Sequence, residues 1–254
     1  MNNVNERTRG NDIFDLGEYQ MNETEVKYLA GLLDADGSCF FTFNHDCLGM
    51  TVSLSASKYV DKNNYLSTIP FGQVQEVVVH NQRRWNLSRE KDINMLLPRL
   101  LKHMVIKAKQ WEAMYSLWKE YKGKKVDKEY FKSFQKENRV NCGPLKEKKH
   151  PTWAWIAGYL DGDGCYALQH RKDGYTRMFI EVSCKDVERQ GIDLLYKAFG
   201  GTIRPFRVHL VNYRKNLGKR DKAFAIRFLK KMVVHSKLKK HKIEQLLCQA
   251  AETK

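Results

Sequence analysis

Four aspartates come in two matched pairs. Asp34 and Asp36 end the segment YLAGLLDADG, and Asp161 and Asp163 end WIAGYLDGDG. Both segments read apolar-Ala-Gly-apolar-apolar-Asp-small-Asp-Gly. Asp36 and Asp163 lie 127 residues apart, far beyond the roughly 20–50 residues of a solenoid unit. The repeat therefore marks two domain-sized halves. A carboxylate at a helix C-terminus faces the negative end of the helix dipole, at a cost of about 0.3–1 kcal/mol. Two such ends side by side would bring Asp36 to Asp163 among unpaired carbonyls, and like charges that close resist joint ionisation. A divalent cation resolves the conflict, and oxygen-only ligands suit Mg²⁺ or Ca²⁺. An EF-hand does not fit. Its third ligand would be Ser38 or Cys165, and its turn glycine would be Cys39 or Tyr166.

The elements that must position these acids are short helices. Apolar residues and good helix formers lead into an Asp-Gly stop, with Gly37 and Gly164 at the C-terminal position. Gly31 and Ala35, then Gly158 and Gly162, lie four apart and share one helix face. Such faces let two helix backbones approach closely.

The paired segments resemble the signature of the LAGLIDADG homing endonucleases. Leu29–Gly37 reads LAGLLDADG and Ile156–Gly164 reads IAGYLDGDG. The resemblance covers nearly the whole chain apart from an N-terminal arm and a central linker. It implies an α+β fold of two pseudo-symmetric αββαββα halves, each with a curved antiparallel DNA-binding sheet. It also implies a monomeric, Mg²⁺-dependent enzyme that cuts both strands of a long DNA site and promotes intron mobility, with Ca²⁺ able to occupy the sites without supporting cleavage. By that resemblance Asp36 and Asp163 bind metal, assisted by the carbonyls of Ala35 and Gly162. Asp34 and Asp161 are then structural residues at the helix ends. The resemblance also assigns a lysine to each half, read here as Lys109 in KAK and Lys239 in KLK. The polar position at the end of the second strand falls on Ser57 and Cys184, where the family often has Gln. Other activities of the same fold are an intron-RNA-binding maturase and a non-cleaving DNA-binding protein.

Composition agrees with a nucleic-acid partner. The 254 residues carry 45 Lys+Arg against 29 Asp+Glu, a net charge of +16, which is an electrostatic footprint for a polyanion, although basicity alone also fits ribosomal or membrane-surface proteins. No apolar run reaches membrane-spanning length, and the N-terminus has no secretory signal. Six cysteines without a CxxC pair are expected as reduced thiols of an intracellular protein, in a bacterial or phage cytoplasm or an organelle matrix.

Taken in order, residues 1–22 form an arm, 23–120 the first half, 121–150 a basic linker and 151–254 the second half. The first half is expected as a motif helix at 24–36, strands at 38–46 and 50–57, a helix at 59–69 and a hairpin at 74–88. Two helices follow, the second at 105–120 with Trp111, Met114, Tyr115 and Trp118 as a core stripe. The second half is expected to repeat this, with strands at 165–171, 176–184, 202–210 and 222–228. One face of each four-stranded sheet covers helices, and the other is free to enter a DNA major groove. Polar and basic strand residues assigned to that face are Thr42, Asn44, Ser53, Ser55, Gln75, Arg83 and Arg84 in the first half. In the second they are Gln169, Arg171, Arg177, Glu181, Arg204, Arg207, His209 and Arg227. A ten-residue strand spans about 33 Å, so two halves cover about 20 base pairs of double-stranded DNA. The halves differ in sequence, so the target should be asymmetric. Intron RNA is the second partner the family admits.

Overall fold

A computed structural model describes residues 21–140, 151–170, 176–183, 189–204, 207–214 and 219–252. The first motif helix, α1 (Glu23–Asp36), starts at a capping box: Asn22 accepts from the Glu25 amide, and the Glu25 side chain accepts from the Asn22 amide. Strands β1 (Ser38–Asn44) and β2 (Cys47–Ser57) follow, joined by a two-residue turn with positive φ at His45 and Asp46. Then come α2 (Tyr65–Thr68), β3 (Gln73–Val77), β4 (Gln82–Leu87), α3 (Glu90–His103), α4 (Ala108–Tyr121) and α5 (Lys128–Val140). The second motif helix is α6 (Trp153–Asp163), capped by Thr152. It leads to β5 (Gly164–His170), β6 (Thr176–Ser183), α7 (Arg189–Phe199), β7 (Thr202–Arg204), β8 (Arg207–Arg214), α8 (Lys219–His235) and α9 (Lys240–Glu252).

The two sheets have one topology. Their strand orders are β1-β2-β4-β3 and β5-β6-β8-β7, antiparallel throughout. The α+β fold of two pseudo-symmetric halves is thus present.

Helices α1 and α6 form the join. A Cβ built on Gly31 would fall 2.0 Å from the Trp155 carbonyl oxygen, and one on Gly158 would fall 1.9 Å from that of Tyr28. The two backbones touch, and only glycine permits it. Gly37 and Gly164 have a different reason for being glycine. Their φ values are −72° and −81°, so no left-handed cap forms. A Cβ there would instead strike the Leu33 and Leu160 carbonyl oxygens at 2.5 and 2.4 Å.

Three expectations for local structure are corrected. The single strand expected at 202–210 is instead β7 and β8, which pair antiparallel with each other. Residues 222–228 are not a strand. They lie in α8, where Ala225, Phe228, Leu229 and Met232 are buried at helical spacing. The β-rich composition of AFAIRF hid that period. The expected helix at 59–69 shrinks to Tyr65–Thr68. Within 121–150, residues 128–140 form α5, whose Phe131 packs edge-on against Phe41. Gln135 of α5 accepts a hydrogen bond from the Phe41 amide on β1, so α5 covers the outer edge of the first sheet. Of the expected core stripe, Trp111, Met114 and Trp118 are buried, while Tyr115 is only partly buried. Among the described residues no helix is long and apolar enough to cross a membrane.

Candidate active site

The C-terminal ends of α1 and α6 meet at the join. The ideal Cβ position of Gly162 lies 3.1 Å from Asp36 Oδ2 and 2.5 Å from the Ala35 Cβ. Asp36 of one half is therefore held against the motif of the other. Asp163 ends α6 and is partly exposed. Both acids act electrostatically on the Lys239 ammonium. Burial lowers the Lys239 pKa from the usual lysine range, while Asp161, Asp36 and Asp163 oppose that shift.

Each helix end is closed by an ammonium group. Lys107 Nζ donates to the carbonyls of Leu33, Ala35 and Gly37 at 3.4, 2.7 and 3.0 Å. Lys239 Nζ donates to those of Leu160, Gly162 and Gly164 at 3.2, 2.9 and 2.6 Å. A cation at a helix C-terminus neutralises the dipole and satisfies carbonyls the helix leaves unpaired. These contacts correct the lysine assignment of the first half. Lys109 is exposed on α4, and Lys107 stands where Lys239 does. The sequence offered KAK and KLK as equivalent, but the second half reaches its matching lysine two positions later in that register.

The outer acids fix the lysines. Asp34 is buried and accepts from the amides of Val105, Ile106 and Lys107 at 2.7, 3.2 and 2.8 Å. Asp161, also buried, accepts from the amides of Lys237 and Leu238, both at 2.9 Å, and from Ser236 Oγ. Burial raises the Asp34 pKa despite these donors.

The free face of the first sheet follows from pairing. Ser38, Ser53, Asn86 and Gln73 stand on one row across the strands, and Ser55, Arg84 and Gln75 on the next; Ser53 itself is buried rather than free for DNA. Thr42 and Asn44 share that face. Arg84 Nε donates to Ser55 Oγ at 3.3 Å. Arg83 does not belong there. It pairs with Ala56 and Glu76 on the face that carries Trp85 and Leu87, and donates to the Asp61 carbonyl at 2.8 Å. Sequence reasoning missed Gln82 and Asn86, which alternation with the apolar Trp85 and Leu87 marks, and Gln73, which only its pairing with Asn86 places on this face. Ser57 accepts from the Val60 amide and lies directly opposite Gln82.

In the second sheet the register sets Cys165, Glu181, His209 and Thr202 on one row, with Ser183, Arg207 and Arg204 on another. Gln169 and Arg177 are paired. These positions alternate with the buried Met178, Ile180 and Val182. Arg227 is exposed on α8 and is not a strand residue. Arg171 and Cys184 fall outside the described residues.

No protein-family profile matches the chain, and no curated protein sequence does. Solved structures match over almost its full length. The meganuclease I-SmaMI, bound to uncleaveable DNA, is 14% identical with a TM-score of 0.64, and 91% of each chain is covered. I-AabMI, bound to uncleaved DNA, gives the same values. I-GzeII, in complex with a DNA target, is 17% identical with a TM-score of 0.53, covering 92% of this chain and 98% of its own.

The chain has the LAGLIDADG homing endonuclease fold.

The single-chain, two-motif form of that fold accounts for the pseudo-symmetry. One LAGLIDADG helix comes from each half, and the join between them carries the candidate site.

Proposed function

We propose that the protein is a site-specific double-stranded DNA endonuclease that uses a divalent metal, with Mg²⁺ as the working ion. The observation that carries this reading is the approach of Asp36 to Gly162 across the join, beside two ammonium-capped helix ends. Among the described residues no cluster of three or more His, Cys, Asp or Glu exists. Two carboxylates with backbone carbonyls suit Mg²⁺, which keeps several waters and needs few protein ligands. Asp36 and Asp163 would hold the metal, with Ala35 and Gly162 assisting through the second lone pairs of their carbonyls. Bound there, the ion would activate a water and neutralise charge on the scissile phosphate.

The chain's own residues supply the rest. Lys107 and Lys239 offset the negative helix ends, so that a phosphate meets less repulsion. The polar face of each sheet tracks the duplex on either side of the centre. Neutral Ser, Asn and Gln predominate on the first sheet, where Asn and Gln suit adenine. The second sheet pairs Arg177 with Arg214 and Arg204 with Arg207. We further propose that one chain suffices, that its halves span 23–120 and 151–254, and that the asymmetric target is about 20 base pairs long.

Incubation with a library of duplexes, with Mg²⁺ and then with EDTA, tests the reading. Metal-dependent double-strand cutting at one site is expected, and Asp36→Asn or Asp163→Asn should abolish it with DNA affinity retained. Tight binding of intron RNA without any metal-dependent cut would overturn it.

A further inference from the structure

Tyr28 and Trp155 occupy the same position in the two motifs, 127 residues apart. Each reaches across the join. Tyr28 Oη donates to Asp161 Oδ2 at 2.7 Å, and Trp155 Nε1 donates to Asp34 Oδ2 at 2.9 Å. All four side chains are buried. The acid that holds the lysine-bearing loop of one half is thus bonded by an aromatic residue of the other. Asp34 anchors the amides of 105–107, which deliver Lys107. Asp161 anchors Ser236, Lys237 and Leu238, next to Lys239.

We infer that Tyr28 and Trp155 are crossed positioning residues. Each makes the lysine loop of the opposite half depend on the docking of its own. The proposal deepens the nuclease reading and rests on it for the meaning of the lysines, but the crossed dependence itself concerns the folded chain alone. The chemistry supports it in three ways. A carboxylate buried this deeply needs its donors, and removing one leaves a penalty on the anion. Tyr28 remains a donor, because burial and the adjacent Asp161 push its pKa well above the ordinary tyrosine value. The contact is also specific rather than generic packing. The Tyr28 ring already packs edge-on against Tyr65, and Trp155 stacks on Tyr159 at 5.1 Å. Apolar rings would satisfy that packing, and the polar atoms are spent on the opposite half. The device would keep a lysine misplaced until both motif helices are seated, so that neither strand is cut by a half-assembled centre.

Tyr28→Phe and Trp155→Phe test it, read first by amide hydrogen exchange on the protein without metal or DNA. Tyr28→Phe should speed exchange at Lys237 and Leu238 by about 10-fold and leave Val105–Lys107 unchanged. Trp155→Phe should do the reverse. With target DNA and Mg²⁺, each variant should accumulate nicked product, with opposite strands left uncut. Tyr28→Phe removes one oxygen atom and keeps the ring, so it decides the question by itself if Trp155→Phe does not fold. Exchange that rises equally in both loops, or in neither, overturns the proposal. Crossed exchange without any DNA cleavage upholds it and overturns the nuclease reading instead.

Discussion

Lys107 Nζ lies 2.7 Å from the Ala35 carbonyl oxygen, and Lys239 repeats the contact on Gly162 at 2.9 Å. A motif whose acids sit at the wrong end of a helix is made tolerable by these two ammonium groups. Lys107→Met and Lys239→Met should each cost about 1–3 kcal/mol in urea unfolding, since buried carbonyls lose their donor. Each should also slow cleavage by about 100-fold or more, the scale seen when an electrostatic stabiliser is removed. Lys109→Ala should change stability by less than about 0.5 kcal/mol, and its cleavage rate should match wild type.

The helix join predicts a severe glycine effect. Gly158→Ala would set a Cβ 1.9 Å from the Tyr28 carbonyl oxygen, and backbone cannot swing aside as a side chain can. Overpacking typically costs about 1–3 kcal/mol, occasionally more. Gly158→Ala and Gly31→Ala should lie at or beyond the top of that range in chemical unfolding. A loss under about 1 kcal/mol would mean that the helices are not in backbone contact.

Gly162→Ala loads both the helix ends and the acid. Its Cβ would meet the Ala35 Cβ at 2.5 Å and Asp36 Oδ2 at 3.1 Å. The Ala35 Cβ is fixed to its backbone, so the ends of α1 and α6 must part, and Asp36 moves with α1. Cleavage should drop by more than about 10-fold while stability falls less than in Gly158→Ala. The two variants compared in one unfolding and cleavage series check this.

Arg83 and Arg84 are adjacent in sequence and opposite in role. Arg83→Ala breaks bonds to the Asp61 carbonyl and carboxylate and should lower stability by about 1–3 kcal/mol. It should leave the salt dependence of DNA binding unchanged. Arg84→Ala should do the converse, weakening DNA binding with little effect on unfolding. If Arg84 contacts phosphate, the slope of log K against log salt should fall by about 1.

Acid titration tests the Asp34 environment. Burial raises the folded Asp34 pKa above its ordinary 3.8. The native state then takes up this proton before the unfolded state does, so the site gains relative stability as pH falls from the folded value toward 3.8. Asp34→Asn cannot titrate. The stability of wild type relative to Asp34→Asn should therefore increase across that window on acidification. A decrease would show that the amides of 105–107 outweigh burial.

Much was legible in the residues themselves. The duplicated motif fixed two halves, the meeting of Gly31 and Ala35 with Gly158 and Gly162, and the chain order of α1 through β2 with close boundaries. These follow from short-range rules: helical spacing, Asp-Gly stops and strand alternation. The family resemblance gave Asp34 and Asp161 a structural place at the helix ends, and both are buried on backbone amides. Tertiary structure decided what depends on partners distant in the chain. The pairing of β4 with β2 and β3 turned Arg83 inward and brought Gln73, Gln82 and Asn86 onto the free face. Packing of Phe228, Leu229 and Met232 made a helix of a stretch rich in strand-forming residues. The anchoring of amides on Asp34 selected Lys107 over Lys109. Two lysines two positions apart are equivalent to any local rule, and only the carbonyls across the fold distinguish them.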